Sequence, residues 1–426
     1  MKRLLLAPFA ALLACAPNPP APVKVMALAP NESGAYATVQ VELKTVANFA
    51  NLKGSVAELM GGNRVVVDAN DPLQNLNGGI ANMTDEQRYE VIVKDKGADV
   101  RGNFIEQGGV MWPADFHTWN MVSAYYNFER SYDYFLGVYD GVEPTELQKM
   151  RVMYWAYARI GTSEPSTDNA LYLSFIKSFV IVPFAQQKLV PLAMNIGVIG
   201  HEVAHKSFNF KVMADQGIHP VLTTWSTSSF NLLKSLDEGL ADFHGFGVTC
   251  LEPAGCRSNF LAASLSDDTL VHMRDVARTD ACMDENLRSS FFNSTPDQWV
   301  RGTDMYKVGN LIAASLYQAG NRRSGDQGVQ QLQKALIKAY DDESPQTPGL
   351  RQLLNSNLNT QQNWNLESVT NVIIAHVTDP ELKKLLCNEF STRLQLKCGA
   401  FPCPDMPACP ATSGRENSCP LLPPLP

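Results

Sequence analysis

Residues 195–205, NIGVIGHEVAH, decide how this chain reads, together with SLDEGLADF at 235–243. In the first stretch His201 and His205 are four residues apart. Four residues advance a helix by about 400°, so both imidazoles leave from one face and can share one metal ion. Imidazole nitrogen suits zinc. Glu202 sits one step round the helix, beside the metal rather than on it. There it can take the proton from a metal-activated water and later hand it to a leaving amine. The apolar NIGVIG ahead of His201 supplies a helix that buries one side of this face.

The second stretch holds the third ligand. A catalytic zinc wants three protein ligands and one open position for water. Glu238 completes a set of two histidines and a glutamate. Asp242, four residues further, shares its helical face and would accept the outer N–H of a ligand histidine, fixing its tautomer.

HEVAH followed by EGLAD resembles the thermolysin-like gluzincin zinc metallopeptidases, which carry HExxH on one helix and a glutamate in an ExxxD pattern on the next. The resemblance is specific at these two motifs and covers at best about 111–320. It implies an α+β fold with a zincin-like catalytic domain: a small sheet, the active-site helix and a mostly helical second half. It also implies that Asn169 and Ala170 lie beside the substrate cleft, where an extended peptide would pair with the strand after them. The aromatic helix 117–138 resembles the first long helix of that catalytic domain.

The family's late histidine, which hydrogen-bonds the oxyanion, is missing from its place. Tyr306 stands there, within 304–309, and a phenol can donate the same bond. His219, His244 and His272 are rival donors, although His244, about 200° round the helix from Asp242, should point away from the metal. His117 and His376 read as ordinary surface or core histidines. The resemblance thus implies a zinc-dependent endopeptidase with Glu202 as general base and a protein or peptide as substrate. The departure at Tyr306 keeps an alternative open: a catalytically weak or inactive zinc-binding surface lipoprotein that binds peptides or envelope partners.

The amino terminus suggests where the chain works. Lys2 and Arg3 precede an apolar run, Leu4 to Leu13, too short to span a bilayer as a mature helix. It ends in Leu12-Leu13-Ala14-Cys15, which resembles a bacterial lipoprotein signal with Cys15 as the lipidated residue. Acyl chains on Cys15 would tie the exported protein to the cell envelope. Ala16 is not Asp, so the outer membrane is favoured where a host has two. Cysteine usage agrees with export, because eight cysteines remain beside Cys15 and an even set suggests disulfides. Cys250 with Cys256 would close a short loop. The net charge of -8 and pI near 5.5 argue against a nucleic-acid partner, which calls for a basic stripe.

Composition then divides the 426 residues. A signal peptide is expected at 1–14, a Pro/Ala-rich tether at 15–35, and a β-rich region at 36–110 carried by TVQVEL, RVVVDA and YEVIVKD. The metallopeptidase domain is expected at 111–395, and a Cys/Pro-rich tail occupies 396–426. Within the domain, helices are expected near 192–213, 227–248, 303–319, 327–341 and 379–394. A further helix is expected in PTELQKMRVMYWAYARI from Pro144, and a buried strand over 171–183. The resemblance also allows calcium, which is common in that family, but no site for it is readable, since Asp267-Asp268 and Asp341-Asp342 are isolated acidic doublets of the usual solvated kind.

Overall fold

Val23, Val25, Ala27 and Ala29 are buried while Lys24 is exposed, the period of two that a strand with one face on a core requires. The computed structural model describes residues 21–396, apart from 69, 75–78, 162–163, 186–188, 226 and 252–255. The signal peptide, Cys15 and nearly all of the 396–426 tail lie outside the described residues.

Up to residue 113 the chain is made of short strands: β1 (Val23–Pro30), β2 (Tyr36–Leu43), β3 (Val46–Asn48), β4 (Lys53–Gly54), β5 (Ala57–Gly61), β6 (Arg64–Val67), β7 (Val93–Asp95), β8 (Ala98–Asp99), β9 (Phe104–Gln107) and β10 (Val110–Pro113). Helix α1 (Asp85–Ile92) interrupts them, started by a capping box between Thr84 and Gln87. Four more strands lie further on: β11 (Met150–Tyr154), β12 (Tyr157–Ile160), β13 (Ala170–Leu173) and β14 (Ser178–Ile181). Between the two groups runs α2 (Phe116–Val138), capped by Asp115 and burying Met121, Val122, Tyr125, Phe128 and Phe135.

From residue 196 onward the described chain is helical: α3 (Ile196–Lys211), α4 (Val221–Thr224), α5 (Thr227–Thr249), α6 (Asp268–Met273), α7 (Glu285–Asn293), α8 (Pro296–Arg301), α9 (Asp304–Ser324), α10 (Asp326–Asp341), α11 (Leu350–Ser356), α12 (Leu366–Ala375) and α13 (Pro380–Arg393). The fold is therefore mixed, β-rich first and helical after, as the expected α+β class requires. No described helix is long and apolar enough to cross a membrane.

Three expectations change. The stretch read as a tether, 15–35, contains β1, which pairs antiparallel with β2 and parallel with β10. Its Pro and Ala composition conceals an alternation of small apolar residues that a core accepts as readily as bulkier ones. Next, the helix expected from Pro144 is a 3-10 turn at Thr145–Leu147 followed by β11 and β12. Val152, Met153 and Tyr154 are buried because β11 is an inner strand between β5 and β14, parallel to both. Such strands read as continuous apolar runs and imitate a buried helix. The strand expected over 171–183 is a hairpin, β13 and β14 antiparallel, with a 3-10 turn at Ser174–Ile176 between them.

The β-rich region also shares its sheet and its core with the rest of the chain. β5 lies in the seven-stranded sheet ordered β13-β14-β11-β5-β4-β3, with β8 beside β5. One core holds Val25, Leu43 and Leu59 together with Val203, Leu240 and Ile312.

Two close approaches set the site. A Cβ on Gly239 of α5 would lie 2.1 Å from the Gly309 carbonyl oxygen of α9, so these helices cross backbone to backbone. The start of α3 is held from the far end of the chain. Tyr36 of β2 donates its hydroxyl to Asn195 Oδ1 at 3.1 Å and accepts the Ile196 N–H at 3.0 Å, while Asn195 caps the helix.

Candidate metal centre

α3 presents His201 and His205 one turn apart, their rings edge to face with centroids 4.5 Å apart. α5 packs across α3 and brings Glu238 to them. The two Nε2 atoms are 3.0 Å apart. Glu238 Oε2 lies 3.4 Å from His201 Nε2 and 3.7 Å from His205 Nε2. A tetrahedral ion with bonds of about 2.0–2.1 Å separates its donors by roughly 3.3 Å, and these three distances bracket that value. Among the described residues, this trio forms a cluster able to hold a metal ion.

The outer nitrogens decide the tautomers. His201 Nδ1 is 2.9 Å from Asp242 Oδ1, and His205 Nδ1 is 2.7 Å from Asp237 Oδ1. An ionised carboxylate only accepts, so each Nδ1 carries a proton and each neutral ring turns its Nε2 lone pair inward. Two lone pairs at 3.0 Å repel unless a cation stands between them. Arg274 Nη2 lies 3.3 Å from both ring nitrogens of His201, but its strong bonds are to Asp242.

Charge makes the same demand. Glu202, Asp237, Glu238 and Asp242 bring four carboxylates, and Lys234 and Arg274 two cations. A divalent ion would neutralise the two negative charges left over. Without it, protons do the work. Burial opposes charge on His201, but hydrogen bonds to Asp242 and Glu238 outweigh it and hold its pKa at about 10. Burial likewise opposes charge on His205, and the Asp237 and Glu238 carboxylates raise its pKa nonetheless. Against its burial, Glu238 is held far below the usual carboxylate range by the two imidazoles and Arg274. Those protons are what a metal ion would displace.

Glu202 is 8% exposed and accepts the Tyr172 N–H on Oε2 at 2.7 Å. Burial raises its pKa, with the Glu238 charge adding to that and the histidine charges opposing it. Tyr172 belongs to β13, an edge strand of its sheet, so the backbone edge that β14 does not use faces α3. Asn169, Ala170, Leu171 and Tyr172 line a cleft of about 370 Å³ with His201, His205, Glu202, Glu238 and Tyr306.

Tyr306, at the start of α9, enters that cleft beneath Arg274, whose guanidinium carbon lies 4.5 Å from the ring centroid. The Glu238 charge and burial push its phenol up, so the hydroxyl keeps its proton. The rival histidines are elsewhere. His244 bonds Tyr134 and Tyr340 in the core, His272 meets Asp280 at the surface, and His219 is buried beside the Val221 N–H. His117 contacts the Tyr154 hydroxyl, and His376 the Asp342 carboxylate.

Three residues of this site escape the sequence reading. Asp237 directly precedes Glu238, and Lys234 lies one turn before it, so spacing on α5 is a usable signal for both. Arg274 has none, because it arrives from the end of α6. It grips Asp242 through two bonds, Nη2 to Oδ1 at 2.6 Å and Nε to Oδ2 at 3.0 Å. Away from the site, Cys250 and Cys256 form a disulfide, and Cys282 and Cys387 are each disulfide-bonded.

No protein-family model matches the chain, and no curated protein matches it. Among solved structures it is similar to the precursor of protealysin, a metalloproteinase from Serratia proteamaculans, at 14% identity and a TM-score of 0.38, over 78% of this chain and 87% of that one.

Proposed function

We propose that this chain is a zinc-dependent endopeptidase. One observation carries the reading: two inward-facing imidazole lone pairs and the Glu238 carboxylate converge beside the buried Glu202, in a cleft walled by a strand edge. Zinc held by His201, His205 and Glu238 would supply Lewis acidity and bring the pKa of a water toward neutrality.

The chain's own residues account for the rest. An extended peptide pairs with the edge of β13 through groups other than the Tyr172 N–H, which Glu202 holds, with Asn169 at the entry, and this fixes the carbonyl to be attacked. The Glu202 carboxylate, aimed by the Tyr172 N–H, accepts the proton of the attacking water and returns it to the leaving amine nitrogen. Tyr306, still protonated, donates to the carbonyl oxygen as it gains negative charge. Asp242 and Asp237 hold the two imidazoles in the tautomer that faces inward.

We place this activity in the cell envelope, with the chain anchored through lipidated Cys15; the LLAC stretch at 12–15 supports that placement. Incorporation of labelled palmitate, lost in Cys15→Ser, is its test. The function is tested by hydrolysis of an unfolded protein substrate by the zinc-loaded enzyme beside its Glu202→Gln twin. The twin should keep its zinc and lose at least about a hundredfold in turnover. Full turnover in the twin, or a protein that takes up no stoichiometric zinc, overturns the assignment.

A further inference from the structure

We infer that the cleft selects a substrate carboxylate and that Lys234 binds it, an inference that rests on the peptidase function proposed for this site. Among the described residues, the cationic Lys234 and Arg274 line the cleft, and they are used differently. Arg274 is spent on the protein itself, with two bonds to Asp242 and its guanidinium against Tyr306. Among the described residues, Lys234 bonds Asp237 Oδ2 from Nζ at 3.3 Å, while Oδ1 of the same carboxylate serves His205. An ammonium group has three donors. The side chain is 28% exposed, so its remaining donors can reach into the cleft.

Position supports this use. Lys234, Glu238 and Asp242 lie at four-residue steps on one face of α5, each step rising about 6 Å. Lys234 therefore stands one turn from the ligand Glu238, on the side away from Arg274. An extended peptide advances about 3.3 Å per residue, so a peptide running along α5 meets the Lys234 turn about two residues from the bond that is cut. On the β13 wall, Tyr172 lines the same cleft and has Lys206 Nζ 5.5 Å from its ring centroid, adding positive potential nearby. The chain as a whole carries -8, so any preference for an acidic ligand is made locally. The carboxylate can be an acidic side chain near that position or the terminal carboxylate of a short peptide.

Calorimetry on full-length, zinc-loaded Glu202→Gln protein separates the cases without needing turnover. The probes are acetylated, amidated Ala/Leu nonapeptides carrying a single Glu or Gln at each position in turn, with a truncated series bearing a free carboxyl terminus. Glu should bind about tenfold tighter than Gln at one position, or the free terminus about tenfold tighter than the amide, according to the source of the carboxylate. Adding Lys234→Met should abolish the difference, and Lys234→Arg should keep it. Equal binding of Glu and Gln peptides at every position, with no gain from a free terminus, overturns the inference while leaving the peptidase reading intact. Binding of no peptide at all removes both.

Discussion

Asp237 Oδ1 lies 2.7 Å from His205 Nδ1, on the far side of the imidazole from the nitrogen that faces His201. Asp242 stands in the same relation to His201. Both carboxylates come from α5, which also carries Glu238, so one helix supplies one member of the cluster and orients the other two.

Removing an orienting carboxylate should loosen the metal. Asp237→Ala is expected to lower zinc affinity about 10- to 100-fold, because the His205 ring loses its fixed tautomer and gains freedom to turn. Competition against a chromophoric chelator measures this. Unchanged affinity would mean that Asp237 only balances the charge of Lys234.

Chelation should destabilise the whole domain. Zinc at a hundredfold excess over its dissociation constant adds about 2.7 kcal/mol of stability. Stripping it leaves the carboxylate-rich cluster dependent on protons, so the metal-free protein should melt earlier and re-addition should restore the transition. Identical melting curves with and without zinc would argue against a built site.

The acid limb of the rate profile should reflect Glu202. Burial raises its pKa, and the group must be ionised to accept a proton. The rate should therefore fall with acid while the metal is still held, read by following activity and bound zinc over the same pH range. Activity that falls only where zinc is lost contradicts the assignment of Glu202 as base.

Two buried histidines outside the site should make the fold acid-sensitive. Burial pushes His244 down to about 3 and His219 down to about 4. In the unfolded chain both titrate near 6.5. Between those values the unfolded state binds protons that the folded state refuses, so stability declines as pH falls from about 6.5 toward 3–4. The urea midpoint should be lower at pH 5 than at pH 7, and His244→Gln should flatten that slope.

Gly239 should tolerate no side chain. Its missing Cβ leaves room for the Gly309 carbonyl, and Gly239→Ala is expected to cost about 3 kcal/mol by forcing α5 and α9 apart. Denaturant unfolding of the variant checks this, with zinc affinity as a second readout since Glu238 is adjacent.

How much of the fold and site is legible in the sequence depends on distance along the chain. His201 with His205, and Glu238 with Asp242, are readable because a four-residue step on a helix fixes a shared face whatever the rest of the fold does. Asp237 and Lys234 are within reach of the same argument. Arg274 is not, because only the tertiary placement of the α6 end, whose helix packs on α9, brings it to Asp242, and no local pattern encodes that. The inner strand β11 reads as helix because burial on both faces removes the alternation by which strands are known. β1 reads as a tether because its buried residues are small.

That the histidines come from α3 and the groups that orient them from α5 gives metal uptake a further use. A chain in which these helices have formed but not docked offers two histidines with unfixed tautomers and no nearby glutamate. High-affinity zinc would then count only molecules whose tertiary structure is complete. With zinc bound as proposed, the molar ratio of tightly held metal to protein in a preparation would measure its natively folded fraction, before any substrate is known.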